Sequence, residues 1–137
     1  MHRSCVWDHS TVTHVSEAVS EFLESLDASW REVAPGEWGL TVEAAGWPLH
    51  VGLAFRDGML RAQCEALPAD RVSDHELLFR NRGLVMVRYA HTGAGAVWVH
   101  GELPADLVSV EWLDRLLGLL VEAAIVVRRR AGGSAAA

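Results

Sequence analysis

The sequence has 137 residues, of which half are hydrophobic and 22% are charged, and its formal net charge is −6. This length and balance are typical of one folded domain with a single hydrophobic core, not of a disordered segment. The negative charge disfavours nucleic acid as a partner, because it would repel phosphate backbones. No stretch approaches the roughly twenty apolar residues that span a bilayer, and no signal-peptide core opens the chain, so we expect a cytoplasmic protein without a membrane partner.

We expect one domain over residues 1–130 and a disordered tail over residues 131–137, since the last residues are Ala, Gly and Ser. The two cysteines, Cys5 and Cys64, are too few and too far apart for a disulfide framework or a zinc cluster. They are expected to be free thiols in a reducing compartment.

The first half of the chain predicts one helix followed by three antiparallel strands. Apolar residues recur at helical spacing at Val12, Val15, Val19, Phe22, Leu23 and Leu26. Apolar and polar residues then alternate over residues 38–43, 49–56 and 59–67, which is the period of a strand with one buried face. Asp57-Gly58 supplies a hairpin turn between the last two strands.

The second half predicts a short helix, a second hairpin and a long helix. Ser73 and Glu76 have the spacing of a capping box, so the short helix should begin there. Alternation resumes over residues 85–89 and 97–103, and Ser109 can cap a helix from Val110 to about Val127. The sequence therefore predicts an α+β fold in the order α-β-β-β-α-β-β-α, with helices packed on a five-stranded antiparallel sheet.

The last helix has more apolar surface than an ordinary amphipathic helix. Its polar residues occupy an arc of about 100°, which leaves roughly 260° of the circumference apolar. The surplus on one flank includes Trp112, Leu119 and Val126. We expect this flank to contact another helix, a second subunit or a client protein.

A second candidate surface is the sheet face that points away from the core. Its aromatic and polar residues are His50, Arg61, Gln63, Met86, Arg88, Trp98 and His100. We select Trp98, Met86 and Arg88 as protein-binding candidates, because such a mixture suits reversible contact with a peptide or protein. The same residues are equally compatible with a merely solvated face.

The sequence contains no recognisable catalytic or metal-binding motif. Its seven histidines lack the close spacing of zinc ligands, and no nucleophile elbow or phosphate-binding loop is present. We therefore expect a protein that is not an enzyme and has no cofactor or metal. Two alternatives stay open: a small-molecule pocket closed by the last helix and lined by Trp38, Trp98 or Trp112, and an enzyme cleft formed by His50, His100 and Glu102.

The element order and the second half of the chain resemble the type III secretion chaperone-like fold and its YbjN relatives. The residues that carry the resemblance run Leu77-Leu78-Phe79-Arg80-Asn81-Arg82, Val85-Met86-Val87-Arg88-Tyr89-Ala90, Val97-Trp98-Val99-His100-Gly101-Glu102-Leu103-Pro104 and Val110-Glu111-Trp112-Leu113. The resemblance implies a small cytoplasmic homodimer without enzymatic activity that holds an extended client segment, or a regulator descended from such a protein. It supplies no catalytic residues.

Overall fold

The computed structural model describes residues 9–132 of the chain. Its elements are α1 (His9–Glu24), β1 (Ser29–Ala34), β2 (Glu37–Ala44), β3 (Trp47–Arg56), β4 (Met59–Leu67), α2 (Asp74–Asn81), β5 (Val87–His91), β6 (Val97–Pro104) and α3 (Val110–Arg130). A 3₁₀ turn over Ala105–Leu107 leads into α3. Cys5 and residues 133–137 of the predicted tail lie outside the described residues, whereas Ala131 and Gly132 form a turn after α3.

The described strands form one antiparallel sheet in the order β1-β2-β3-β4-β6-β5. The predicted five-stranded sheet is therefore wrong, because Ser29–Ala34 adds a sixth strand at the edge beside β2. This strand is mostly exposed and has an irregularity between Glu32 and Ala34. Its residues consequently lack the strict alternation that a half-buried strand shows, and edge strands are often polar in this way.

The core lies between one face of the sheet and the helices α1 and α3. Alternate strand residues such as Leu40, Val51 and Val99 are buried on this face. The helix α3 packs mainly against β4 and β6, and α1 packs against α3. The ring of His14 on α1 also donates a hydrogen bond of 3.1 Å to the carbonyl of Val108, just before α3.

Gly101 on β6 lies where the sheet packs tightly against α3. A Cβ atom at this position would lie 2.8 Å from Cδ1 of Leu116 and 2.8 Å from the carbonyl oxygen of Met86. Real Cβ atoms essentially never show such contacts, so only glycine fits between the helix and the sheet. Gly101 therefore faces α3, and its neighbours His100 and Glu102 point to the opposite face.

The buried side chain of Arg128 attaches the end of α3 to the sheet. Its Nε donates to the carbonyl of Ala66 at 2.9 Å, and its terminal nitrogens donate to the carbonyls of Ala44, Trp47 and Pro48 at 2.9, 3.1 and 3.1 Å. The guanidinium also stacks on the Trp47 ring at 3.4 Å from the ring centroid. Arg128 is 2% exposed. Four backbone acceptors and an aromatic face thus replace the water that this cation loses.

The close packing at Gly101 predicts a position-dependent effect of adding one methyl group. Gly101→Ala should lower the free energy of unfolding by about 2 kcal/mol, because backbone and core side chains must move. Gly52→Ala on β3 is the matched control: its Cβ would meet nothing within 4 Å, so stability should stay equal or rise by about 0.5 kcal/mol. Urea unfolding followed by circular dichroism measures both. Equal urea midpoints for the two variants would contradict this packing.

The Arg128 contacts predict that this position tolerates neither loss of charge nor a change of shape. Arg128→Met should cost about 3 kcal/mol, since buried carbonyls lose their donors. Arg128→Lys should be intermediate, because an ammonium keeps the charge but cannot present the planar fork. The neighbouring exposed Arg129 provides the control variant Arg129→Met, for which we expect a change within about 0.5 kcal/mol. Indistinguishable thermal midpoints for the two Met variants would refute the role of Arg128.

Candidate protein-binding surfaces

Much of the apolar circumference of α3 is covered by the chain itself. Eight α3 residues are buried: Leu113, Leu116, Leu117, Leu120, Ala123, Ala124, Val127 and Arg128. Leu119 is partly buried against the core, Val126 is partly buried, and Trp112 is 40% exposed. The contact between α1 and α3 accounts for part of the surplus predicted from the sequence, which leaves a smaller uncovered flank.

That flank continues into apolar residues outside α3. Phe79 on α2 and Val85 before β5 are each 64% exposed, and together with Leu119 and Val126 they line a cavity of about 540 Å³. We call these four residues the α2–α3 patch. Leu78 on α2 is also exposed, at 69%, but does not line this cavity. The same cavity is also lined by Arg80, Arg82 and Glu122, and the Arg82 guanidinium lies over the Phe79 ring at 5.9 Å from its centroid. Exposed apolar surface with a polar rim marks interaction sites in soluble proteins.

The short helix α2 is held rigidly beside the sheet by polar contacts at both ends. The Ser73 hydroxyl caps its start by accepting a hydrogen bond of 3.1 Å from the backbone N–H of Glu76. The Glu76 carboxylate contacts Arg80 at 2.8 Å and Arg130 of α3 at 3.0 Å. The Arg80 hydrogen bond is the main reason that the pKa of Glu76 is lowered. These contacts fix which face of α2 is presented to solvent.

The side-chain amide of Asn81 occupies the outer edge of β5. Its Oδ1 accepts a hydrogen bond of 2.7 Å from the Tyr89 N–H, and its Nδ2 donates one of 3.1 Å to the Tyr89 carbonyl. The Tyr89 hydroxyl in turn donates to the Ala123 carbonyl of α3 at 2.6 Å, and burial raises the pKa of Tyr89 to about 12. The backbone groups of Tyr89 are therefore already paired and are not available to an incoming strand.

The structure brings together only some of the predicted binding residues. Leu119 and Val126 share the α2–α3 patch, whereas Trp112 lies at the start of α3 and does not line its cavity. Arg88 and Trp98 lie on the open face of the sheet, where Arg88 pairs with Glu102 at 3.1 Å.

Met86 departs from the prediction, since it packs against the core and not on the open face. The strand begins at Val87, whose N–H donates to the Val85 carbonyl at 2.7 Å, and Met86 has a φ of 64°. The turn at this position interrupts the alternation that the sequence suggested.

The open face contains a shallow groove of about 650 Å³. Its lining residues are Val33, Glu37, Trp38, Gly39, His50, Val51, Gly52, Leu53, Ala54, Arg56, Asp57, Met59, Arg61, Gln63 and Trp98. We call this feature the sheet groove. Gly39 and Gly52 are directly opposite each other in the pairing of β2 with β3, so the middle of its floor carries no side chain. The sheet groove and α3 lie on opposite faces of the sheet.

The positions of the aromatic and ionisable residues bear on the two alternatives from the sequence, a small-molecule pocket closed by the last helix and an enzyme cleft. Trp38 and Trp98 line the sheet groove but Trp112 does not, and α3 does not close this groove. His50 hydrogen-bonds to Thr41 at 2.9 Å and Glu102 pairs with Arg88, so no hydrogen bond joins His50, His100 and Glu102. Within residues 9–132, no three His, Cys, Asp or Glu side chains form a group that could hold a metal ion.

Two further observations concern the buried Cys64 thiol and the lengths of the helices. Cys64 is a free, buried thiol, and burial raises its pKa to about 12, so it is protonated at neutral pH and packs as an apolar side chain. Among the described residues, no helix has both the length and the apolarity needed to cross a bilayer.

Among known proteins, solved structures are similar to this chain, and this similarity shows its fold. No protein-family model and no curated protein matches the sequence. A chain of the HopA1–SchA chaperone–effector complex is similar in structure, with a TM-score of 0.71 and 15% identity over 90% of this chain and 99% of that one. A chain of the Yersinia pestis type III secretion chaperone SycH in complex with a stable fragment of YscM2 is also similar, with a TM-score of 0.57 and 19% identity over 85% and 98%.

These similarities confirm the predicted α+β fold of the type III secretion chaperone kind. The YbjN part of the resemblance has no counterpart in these two comparisons and stays a prediction. At these identities the shared feature is the arrangement of the backbone, not the binding residues.

His100 on the open face predicts a measurable dependence of stability on pH. Burial, followed by the charges of Arg88 and Arg61, lowers its pKa below the ordinary 6.5, while Glu102 acts in the opposite direction. Below about pH 6.5 the unfolded chain therefore binds a proton at His100 more readily than the folded chain does, and stability falls as the pH falls. His100→Gln should reduce the loss of stability between about pH 7.5 and 5, measured by urea unfolding. Parallel pH profiles for the two proteins would rule out this contribution.

Proposed function

We propose that this chain is a non-enzymatic protein-binding domain, a chaperone-like adaptor that forms a homodimer and holds a client polypeptide. The observation that carries the proposal is the α2–α3 patch, because apolar side chains that a monomer exposes together are stabilised by protein contact. The patch is rigidly presented, since α2 is attached to both β5 and α3. A preformed apolar surface loses little entropy on association.

A second copy of the chain is the occupant that best fits this patch. The patch combines the strongly exposed side chains of Phe79 and Val85 with the hollow that they line together with Leu119 and Val126. In a two-fold dimer the same surface meets itself, so a projection on one protomer can enter the hollow on the other. The Asn81 amide blocks strand pairing at Tyr89, and this favours a dimer formed by side-chain packing.

The similar solved structures support the polypeptide-binding half of the proposal. One contains a chaperone–effector pair, and the other contains a type III secretion chaperone with a fragment of a second protein. Both share their backbone arrangement with nearly all of this chain. We accordingly propose a cytoplasmic role in holding a client, either for secretion or, as in the YbjN-like branch, for regulation.

The dimer is tested by introducing charge into the patch. Val85→Glu should shift a wild-type dimer to monomer, raising the dimer Kd by at least about 30-fold, because a carboxylate would be buried in an apolar contact. The matched control is Val33→Glu. Val33 is 57% exposed and lies on β1, the edge strand at the opposite side of the sheet from β5. Because both positions are exposed, both substitutions should leave the free energy of unfolding within about 0.5 kcal/mol of wild type. Light scattering at micromolar concentrations gives the mass of each protein.

Exposed positions are better suited to this test than the partly buried Leu119, which packs against the core and where a carboxylate would also disturb that packing. A wild-type protein that stays monomeric at about 100 μM would contradict the homodimer, since the expected Kd of such an interface is lower. Dissociation by Val33→Glu but not by Val85→Glu would place the contact at the other edge of the sheet.

A further inference from the structure

We infer that two copies of the chain join at the α2–α3 patch through reciprocal ion pairs, in which Arg82 of each protomer binds Glu122 of the partner subunit. The inference rests on the proposed function in taking the occupant of the patch to be a second copy. It adds the direction of the two-fold axis and the residues that make the contact selective for a matching copy.

The cavity of the α2–α3 patch has two walls that differ in charge. One wall comes from α2 and the loop that leads to β5, and its charged residues are Arg80 and Arg82. The other wall comes from α3, and its charged residue is Glu122. We call these the α2 wall and the α3 wall. The exposed Arg115 and Arg129 of α3 do not line the cavity, and each is seven residues from Glu122, which is about 10 Å along a helix.

Arg82 and Glu122 have no charged partner inside the described protomer. Arg80, on the same wall as Arg82, is already bound to Glu76 at 2.8 Å. Neither Arg82 nor Glu122 forms an ion pair within residues 9–132, and both side chains are exposed. The contact of the Arg82 guanidinium with the Phe79 ring, at 5.9 Å from the centroid, keeps this cation beside the apolar residues. The patch therefore presents one unpaired charge of each sign on opposite walls.

The opposite charges of the two walls favour one of two symmetric ways of joining the patches. In a two-fold dimer the patches face each other, and the axis lies in the plane between them. If the axis runs lengthwise between the walls, each α2 wall meets the α3 wall of the partner. If the axis runs across the walls, each α2 wall meets the same wall of the partner, and Arg82 faces its own copy. Like charges that face each other are disfavoured, so the charges select the lengthwise axis.

The lengthwise arrangement contains two equivalent ion pairs, because each protomer contributes one Arg82 and one Glu122. Ion pairs at the rim of a contact add little to affinity, since water and salt screen them. They discriminate strongly against wrong partners, because a surface of mismatched charge brings like charges together at both places. The apolar residues of the patch thus supply the affinity, and the ion pairs supply the selectivity for a matching copy.

The pairing is tested by reversing the two charges separately and then mixing the variants. Arg82→Glu leaves carboxylates on both walls, and Glu122→Arg leaves cations on both walls. Each substitution should raise the Kd of its own homodimer at least about tenfold, because like charges then meet twice. An equimolar mixture of the two variants should form a heterodimer with a Kd within about threefold of the wild-type value, since both contacts again join opposite charges.

Sedimentation velocity over a dilution series measures the Kd of each variant alone and of the mixture, and circular dichroism establishes that each variant is folded. A local defect, such as loss of the contact between Arg82 and Phe79, would persist in the mixture, so rescue by mixing reports the contact between protomers. Raising the salt to about 1 M shortens the Debye length to about 3 Å and should reduce the difference between each variant and wild type.

The matched controls are the charge reversals Arg31→Glu and Glu32→Arg. Both residues are exposed on β1, at the opposite edge of the sheet from β5. These two variants should dimerise with the wild-type Kd, alone and mixed.

A mixture that stays monomeric, or a wild-type Kd for either variant at the patch, would overturn the inference. Tighter binding of Arg82→Glu to the wild-type chain than to Glu122→Arg would also overturn it, because like walls would then face each other. The proposed function would survive these results as long as Val85→Glu still dissociates the wild-type dimer. A wild-type chain that is monomeric at about 100 μM would instead contradict the homodimer itself, and the ion pairs with it.

Discussion

The architecture depends on one constraint: a six-stranded sheet has two faces, and the described helices cover only one of them. Gly101 shows how closely α3 approaches that face, since no side chain fits between the helix and β6. Most apolar strand residues are directed to the covered side, whereas Gly39, Gly52 and most polar and charged strand residues are left on the other. A domain built this way has a stable core and, at the same time, an open surface with its own shape.

The α2–α3 patch is exposed for a similar reason, because the described helices are too few and too short to cover every apolar side chain. With eight residues, α2 buries Leu77 but leaves its neighbours Leu78 and Phe79 exposed. Its position is set by the Glu76 contacts and by the Asn81 amide, both of which leave the apolar side of α2 facing solvent. The two similar solved structures come from complexes with protein partners.

Local sequence signals predicted the parts of the fold that are governed by local rules. Alternation identified β2, β3 and β4, the Asp57-Gly58 turn has the positive φ angles of 52° and 76° that such a hairpin requires, and both Ser73 and Ser109 accept capping hydrogen bonds. The edge strand β1 was missed because an exposed strand has no need of a regular apolar face.

The binding surfaces were harder to predict, because they depend on contacts between distant residues. Leu119 and Val126 were identified from the width of an apolar arc, but nothing local indicates that Phe79 and Val85 join them. The groove floor depends on Gly39 and Gly52 being in register, which only the strand pairing reveals. Three successive arginines at positions 128–130 do not indicate by themselves that Arg128 is the buried one.

The contacts of Arg128 also have a consequence for how the protein acquires its structure during synthesis. They join residues that are 62 to 84 positions apart in the chain. On a ribosome, the first hairpins can emerge and pair well before codon 128 is translated, but the carbonyls at their ends must wait for this guanidinium. Because contacts of long sequence separation form late, the nascent chain cannot complete these contacts until residue 128 has left the exit tunnel.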